Sequence, residues 1–101
     1  MTILQKGEKD QIVSEGEYGC VLEEACCRRC GGQGDVVAGV MGVMNLWSRR
    51  ASHLDASPGF AACMCTSTIV RKAAKLAFDD KKRAMSANDI IENLSRVVDA
   101  V

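Results

Sequence analysis

Hydrophobic and polar positions change period along the chain. In residues 1–25 the apolar side chains come in short runs, "TILQ", "QIVS" and "GCVLE", and the stretches between them, "KGEKD" and "SEGEYG", are rich in turn formers. Runs of this length bounded by Gly, Asp and Ser predict short strands joined by tight reversals, a β-meander or hairpin set. From Asp35 to Arg50 the chain is apolar on most sides, with Ala38, Gly39 and Gly42 along one side of a helical wheel. A helix that accepts two interior glycines, each about 1 kcal/mol worse than Ala, is expected to pack its backbone against a neighbour and to be buried, with Trp47 as a core anchor at its end.

After the loop "HLDASPG", Ser57 and Pro58 supply an N-cap and a first helical residue. The spacing predicts a helix from Pro58 to Asp80, with Ile69, Ala73, Leu76 and Ala77 on its buried face and Arg71, Lys72 and Lys75 on its wet face. "DDKKR" reads as its charged end. Ser86 with Asp89 three residues on opens a last amphipathic helix that points Ile90, Ile91, Leu94, Val97 and Val98 inward. The predicted class is α/β, short β-strands followed by three helices. Such a set wants a larger sheet to lie against, so the chain reads as part of a bigger α/β domain.

Composition adds limits. A chain of 101 residues is one small domain, and 13 Lys+Arg against 13 Asp+Glu leave no net field to draw it onto nucleic acid or anionic lipid. The N-terminus lacks the pattern of a signal segment, and the apolar stretch Val36–Trp47 is interrupted by Asn45 and too short to span a bilayer. The expectation is a protein of the cytoplasm or mitochondrion, without nucleic-acid or membrane partners. Its six cysteines are expected to be reduced thiols.

Cys27 and Cys30 form a C-x-x-C that invites a zinc or redox reading. A zinc site wants a second pair, and Cys63 and Cys65 lie about 200° apart around a helix. His53 in its polar loop reads as solvated, and Phe60, Phe78 and the methionines Met41, Met44 and Met64 as packing residues.

The chemistry concentrates in "RRCGGQGD". Gly31, Gly32, Gln33 and Gly34 precede a helix whose first turn holds Asp35. Free N–H groups at a helix start, approached across glycines, make a phosphate cradle. The same pattern also serves as a plain tight turn, and Asp35 as an ordinary N-terminal carboxylate. Neither the Walker A spacing nor the dinucleotide fingerprint fits, since no Lys follows Gly34 until Lys72 and Val37 stands where a third glycine belongs. Beside a bound phosphoryl group, Asp35 would serve as a base toward an attacking hydroxyl, with Arg28 and Arg29 offsetting phosphate charge.

"RRCGGQGD", with "KGEKD" upstream and "SRRA", "AACMCTSTIVRKAAKLAF" and "MSANDIIENL" downstream, resembles the C-terminal part of the eukaryotic ATP-dependent NAD(P)H-hydrate dehydratases, members of the ribokinase-like superfamily. The resemblance implies phosphorylation of the hydroxyl of (6S)-hydrated NADH or NADPH with ATP and Mg²⁺, followed by loss of that phosphate. It also implies that Lys6, Gly7, Glu8, Lys9 and Asp10 line ATP, as do Ala25, Cys26, Cys27, Arg28, Arg29, Cys30, Gly31, Gly32, Gln33 and Gly34, and that Asp35 is the base at the substrate hydroxyl.

Cys26, Cys27 and Cys65 depart from the family's usual residues. The expectation is one partial domain, residues 1–101, of a truncated or fragmentary member, with the metal-linked motif and most of the substrate pocket upstream of Met1. The alternatives are an inactive fragment or partner-dependent binding module and, further off, a small zinc-binding protein.

Overall fold

A computed structural model of the chain describes residues 1–22, 31–51 and 57–100. Three strands, β1 (Ile3–Gln5), β2 (Asp10–Ser14) and β3 (Glu17–Val21), form an antiparallel meander in the order β1-β2-β3. Three helices follow, α1 (Gln33–Arg50), α2 (Pro58–Lys81) and α3 (Ala87–Ala100), with a 3-10 turn at Lys82–Ala84 between the last two.

The expected order of strands and helices is the observed one. β3 starts earlier than its apolar run because Ser14 pairs with Glu17 across the two-residue turn Glu15–Gly16. Gly16 takes φ 78° there, a conformation glycine adopts without a Cβ penalty.

One face of the meander lies on α2. Ile12 and Val21 are buried with Cys63, and Leu4, Phe60 and Met64 pack around them. Contact is closest at Gly19, where a Cβ would stand 2.8 Å from the Phe60 ring. The opposite face carries a cross-strand row, Ile3 opposite Val13 and Val13 opposite Tyr18, and all three are exposed.

α2 is the centre of the fold. On its other side Ala62, Ile69, Val70, Ala73, Ala74 and Ala77 meet α1 and α3 through Val36, Met44, Ile90 and Val97. The alanines leave only a methyl at the contact, so neighbouring backbones can approach closely. Being covered by the sheet and by helices, α2 buries far more than one stripe.

Both predicted caps are present. Ser57 Oγ accepts from the Phe60 amide at 3.4 Å, and the Ser86 amide donates to Asp89 Oδ2 at 2.8 Å.

Four expectations fail on packing. α1 is not buried all round: only Val36, Met44 and Ser48 are, while Val43 and Leu46 are exposed and Trp47 is 55% exposed. Nothing stands within 4 Å of where a Cβ would lie on Gly39 or Gly42, so these glycines do not seat a neighbour among the described residues. Leu76 and Ile91, assigned inward by periodicity, are exposed. Arg71, assigned to the wet face, is turned into the fold, its side chain only 10% exposed. A periodic pattern marks which faces are apolar, and the depth of burial depends on what covers them.

Trp47 is the only tryptophan. Its emission is therefore expected at the wavelength of a water-exposed indole and to be quenched freely by iodide. Blue-shifted, protected emission would show the α1 face covered in solution.

Candidate functional site

Two of the predicted segments are described wholly or in part: the turn Lys6–Asp10 between β1 and β2, and Gly31–Asp35 at the start of α1. Ala25, Cys26, Cys27, Arg28, Arg29 and Cys30 lie outside the described residues, as does His53. Ser67 and Arg71 of α2 face the first turn, while Ile69, about 200° around the same helix from each of them, lines the groove that begins at the second.

Asp10 organises the first turn. It is fully buried, and both carboxylate oxygens are in use. Oδ2 accepts from Lys6 Nζ at 2.8 Å and from Ser67 Oγ. Oδ1 accepts from the Gly7 amide at 3.2 Å and from an Arg71 nitrogen at 3.1 Å. Arg71 also donates to the backbone carbonyls of Gly7 and Glu8. Burial pushes the Asp10 carboxyl up, but hydrogen bonds from Lys6 and Ser67, the Lys6 charge and the Gly7 amide together hold it below its ordinary value of 3.8.

Both carboxylate oxygens of Asp10 are taken up by these partners, so the side chain ties the turn to α2. Glu8 and Lys9 are the exposed residues of the turn together with Lys6, and Gly7 is half-buried.

A second carboxylate fixes the other end of the sheet. Glu17 accepts from Ser14 Oγ at 3.1 Å and from the Ser57 amide at 3.1 Å, joining the β2–β3 turn to the cap of α2. Bonds from Ser57, chiefly, hold its carboxyl below the ordinary glutamate value.

The start of α1 is open. Gly31, Gly32, Gly34 and Asp35 are exposed. Gly32 occupies the cap position with φ 89° and no side-chain cap; a Cβ there would be strained and 3.3 Å from the Ala87 methyl. A Cβ at Gly31 or Gly34 would meet nothing within 4 Å. The first bond of the helix runs from the Val36 amide to the Gly32 carbonyl at 3.2 Å, so the Gly34 and Asp35 amides precede the helical ladder. From Gly32 and Asp35 an open groove of about 610 Å³ runs between α1 and α3 past Val40, Val43, Trp47 and Leu94.

This arrangement can present backbone donors and a carboxylate to an anion with no side chain in the way. Among the described residues no group of three His, Cys, Asp or Glu could hold a metal ion. Cys63 is buried and Cys65 exposed, on opposite sides of α2 as their spacing requires; burial raises the Cys63 thiol's pKa. Cys27 and Cys30 lie outside the described residues. No described helix is long and apolar enough to cross a membrane.

Arg71 and Ser67 were missed as residues of this site. Their partner Asp10 is 61 and 57 positions away, and helical periodicity assigns an arginine to solvent.

Comparison with known proteins places this geometry in context. Residues 1–96 match the sequence model of a family described as NAD(P)H-hydrate dehydratase. The chain is similar to ATP-dependent (S)-NAD(P)H-hydrate dehydratases. It is 38% identical to that of Vitis vinifera over all of this chain and 30% of the relative, and 37% identical to that of Entamoeba histolytica over all of this chain and 34% of the relative. It is 39% identical to that of Rattus norvegicus over 90% of this chain and 27% of the relative. The chain thus spans about a third of the length of these relatives.

Proposed function

Because the chain belongs to the NAD(P)H-hydrate dehydratase family, we propose that it supplies the nucleotide-facing turns and the base for ATP-dependent dehydration of (6S)-NADHX or NADPHX. The observation that carries the reading is the exposed Gly31–Gly34 turn opening onto α1 with Asp35 in the first helical turn, in a chain that matches the family along residues 1–96.

The glycine turn fits a phosphate because Gly31 and Gly34 leave their Cβ positions empty and the Gly34 and Asp35 amides precede the helical ladder. ATP, when bound, supplies the phosphoryl group that is transferred to the substrate hydroxyl. The chain's part is to hold its phosphates on the helix N-terminus. Asp35 takes the proton of the attacking hydroxyl. Elimination of the resulting phosphate ester gives NAD(P)H, so each turnover converts one ATP and one hydrate into ADP, phosphate and reduced cofactor.

Among the described residues no three His, Cys, Asp or Glu side chains come together as an all-protein cage for a metal ion. Mg²⁺ is ordinarily held by one or two carboxylates plus substrate phosphates, and no step is assigned to it here. The exposed Val43, Leu46 and Trp47 of α1 are, on this reading, the face that the rest of a longer domain would cover.

Gly34→Ala tests the cradle. The added methyl meets nothing in the fold and removes a helix glycine, so unfolding free energy is expected to stay level or rise by up to about 1 kcal/mol. ATP affinity is expected to fall about tenfold or more as the methyl crowds the phosphates. Unchanged ATP affinity in a folded Gly34→Ala protein would put the phosphates elsewhere.

A further inference from the structure

Arg71 does more than neutralise Asp10. It reaches across from α2 to two consecutive peptide carbonyls of the first turn, those of Gly7 and Glu8, while also bonding Asp10 Oδ1. In a planar trans peptide the carbonyl of one residue and the N–H of the next point in opposite directions. With the Gly7 and Glu8 carbonyls drawn toward α2, the N–H groups of Glu8 and Lys9 are aimed away from it, on two exposed residues of the turn.

The Gly7 amide, by contrast, is used inside, on Asp10. Successive outward N–H groups make a concave donor set suited to an anion, and Lys9 stands beside them. A planar guanidinium can span two carbonyls and a carboxylate at once, whereas an ammonium is a single point of charge.

We propose that Arg71 is a positioning residue for nucleotide binding: by pulling two carbonyls inward it holds the Glu8 and Lys9 amides as donors to the phosphate chain of ATP. The inference rests on the reading of Lys6–Asp10 as a nucleotide rim. It adds a residue from α2 that acts on ATP through the backbone of another segment. Ser67, bonded to the same carboxylate, steadies Asp10 rather than the carbonyls.

The test is a MgATP titration of the protein followed by amide NMR, in wild type, Arg71→Lys and Arg71→Met. In wild type the Glu8 and Lys9 amide signals are expected to shift with saturation. Arg71→Lys keeps a charge beside Asp10 and hence the fold, but loses the fork; its ATP Kd is expected to rise about tenfold or more, with the Glu8 and Lys9 shifts reduced most. If Arg71→Met loses its native spectrum, the lysine variant alone decides.

Equal ATP affinity in wild type and Arg71→Lys, or ATP binding that leaves the Glu8 and Lys9 amides still, overturns the positioning role while the nucleotide reading stands. No ATP binding by wild type removes the nucleotide reading itself, and the role of Arg71 with it.

Discussion

Asp10→Ala is expected to lower the free energy of unfolding by about 3–5 kcal/mol, the usual effect of removing one partner from a buried ion pair. The size follows from what stays behind. Arg71, only 10% exposed, loses the Asp10 carboxylate it bonds, Ser67 Oγ loses its acceptor inside the fold, and the Gly7 amide loses its own. In a domain of ordinary stability, about 5–15 kcal/mol in total, that is enough to bring the chain near unfolding.

Asp10→Asn keeps the shape and one acceptor oxygen, and its cost is expected to be smaller, about 1–3 kcal/mol. The pH dependence separates this mechanism from simple loss of packing. Folded Asp10 binds its proton less readily than the unfolded chain does, so its contribution is present above the ordinary aspartate value of 3.8 and is lost as pH falls below that value and through the lower folded one. Glu17, shifted the same way, adds to the same acid limb. Denaturant unfolding of wild type and Asp10→Asn should therefore give a gap that is constant near neutrality and closes in acid. A gap that persisted unchanged at the lowest pH would mean the Asp10 charge is not what holds the turn.

In a complete domain that carries this segment, Asp35→Asn is expected to lower kcat by about 10² to 10⁴-fold, the usual effect of losing a positioned general base, with ATP affinity little changed. Asparagine keeps the size and a hydrogen-bonding oxygen but cannot take up the hydroxyl proton. Stability is a useful control. Asp35 is exposed in the first turn of α1, where its charge contributes to the helix no more than about 0.3–1 kcal/mol. A large fall in turnover with an almost unchanged unfolding curve would assign the residue to chemistry. An unchanged kcat would leave it as a helix-terminal carboxylate.

What could be read from the sequence was local. Ser57 before Pro58 and Ser86 before Asp89 are signals within one helical turn, and both caps form as their spacing predicts. Gly16 and Gly32 stand where the backbone turns left-handed. The open glycine turn ahead of Asp35 was legible for the same reason, since its geometry depends on a few consecutive residues.

What escaped depends on partners distant in sequence. Arg71 has the spacing of a surface residue on α2, and nothing within several turns announces that Asp10 and two turn carbonyls wait on the facing side. Trp47 fails in the opposite direction. Its helix is apolar enough to be core, yet the described residues cover only one side of it, and composition cannot say whether a covering element is present. Cys26 to Cys30, with the two arginines expected to offset phosphate charge, lie outside the described residues.

The central claim is that this chain can serve as the nucleotide-facing and base-bearing third of a NAD(P)H-hydrate dehydratase. The most direct measurement replaces the matching segment of the Vitis vinifera relative with residues 1–101 and follows NADH formation from (6S)-NADHX together with phosphate release. The account predicts ATP-dependent turnover with one phosphate released per NADH, abolished to within the Asp35→Asn residual when that substitution is made in the grafted segment. A folded chimera as inert as the relative lacking the segment, beside an active parent, would contradict it.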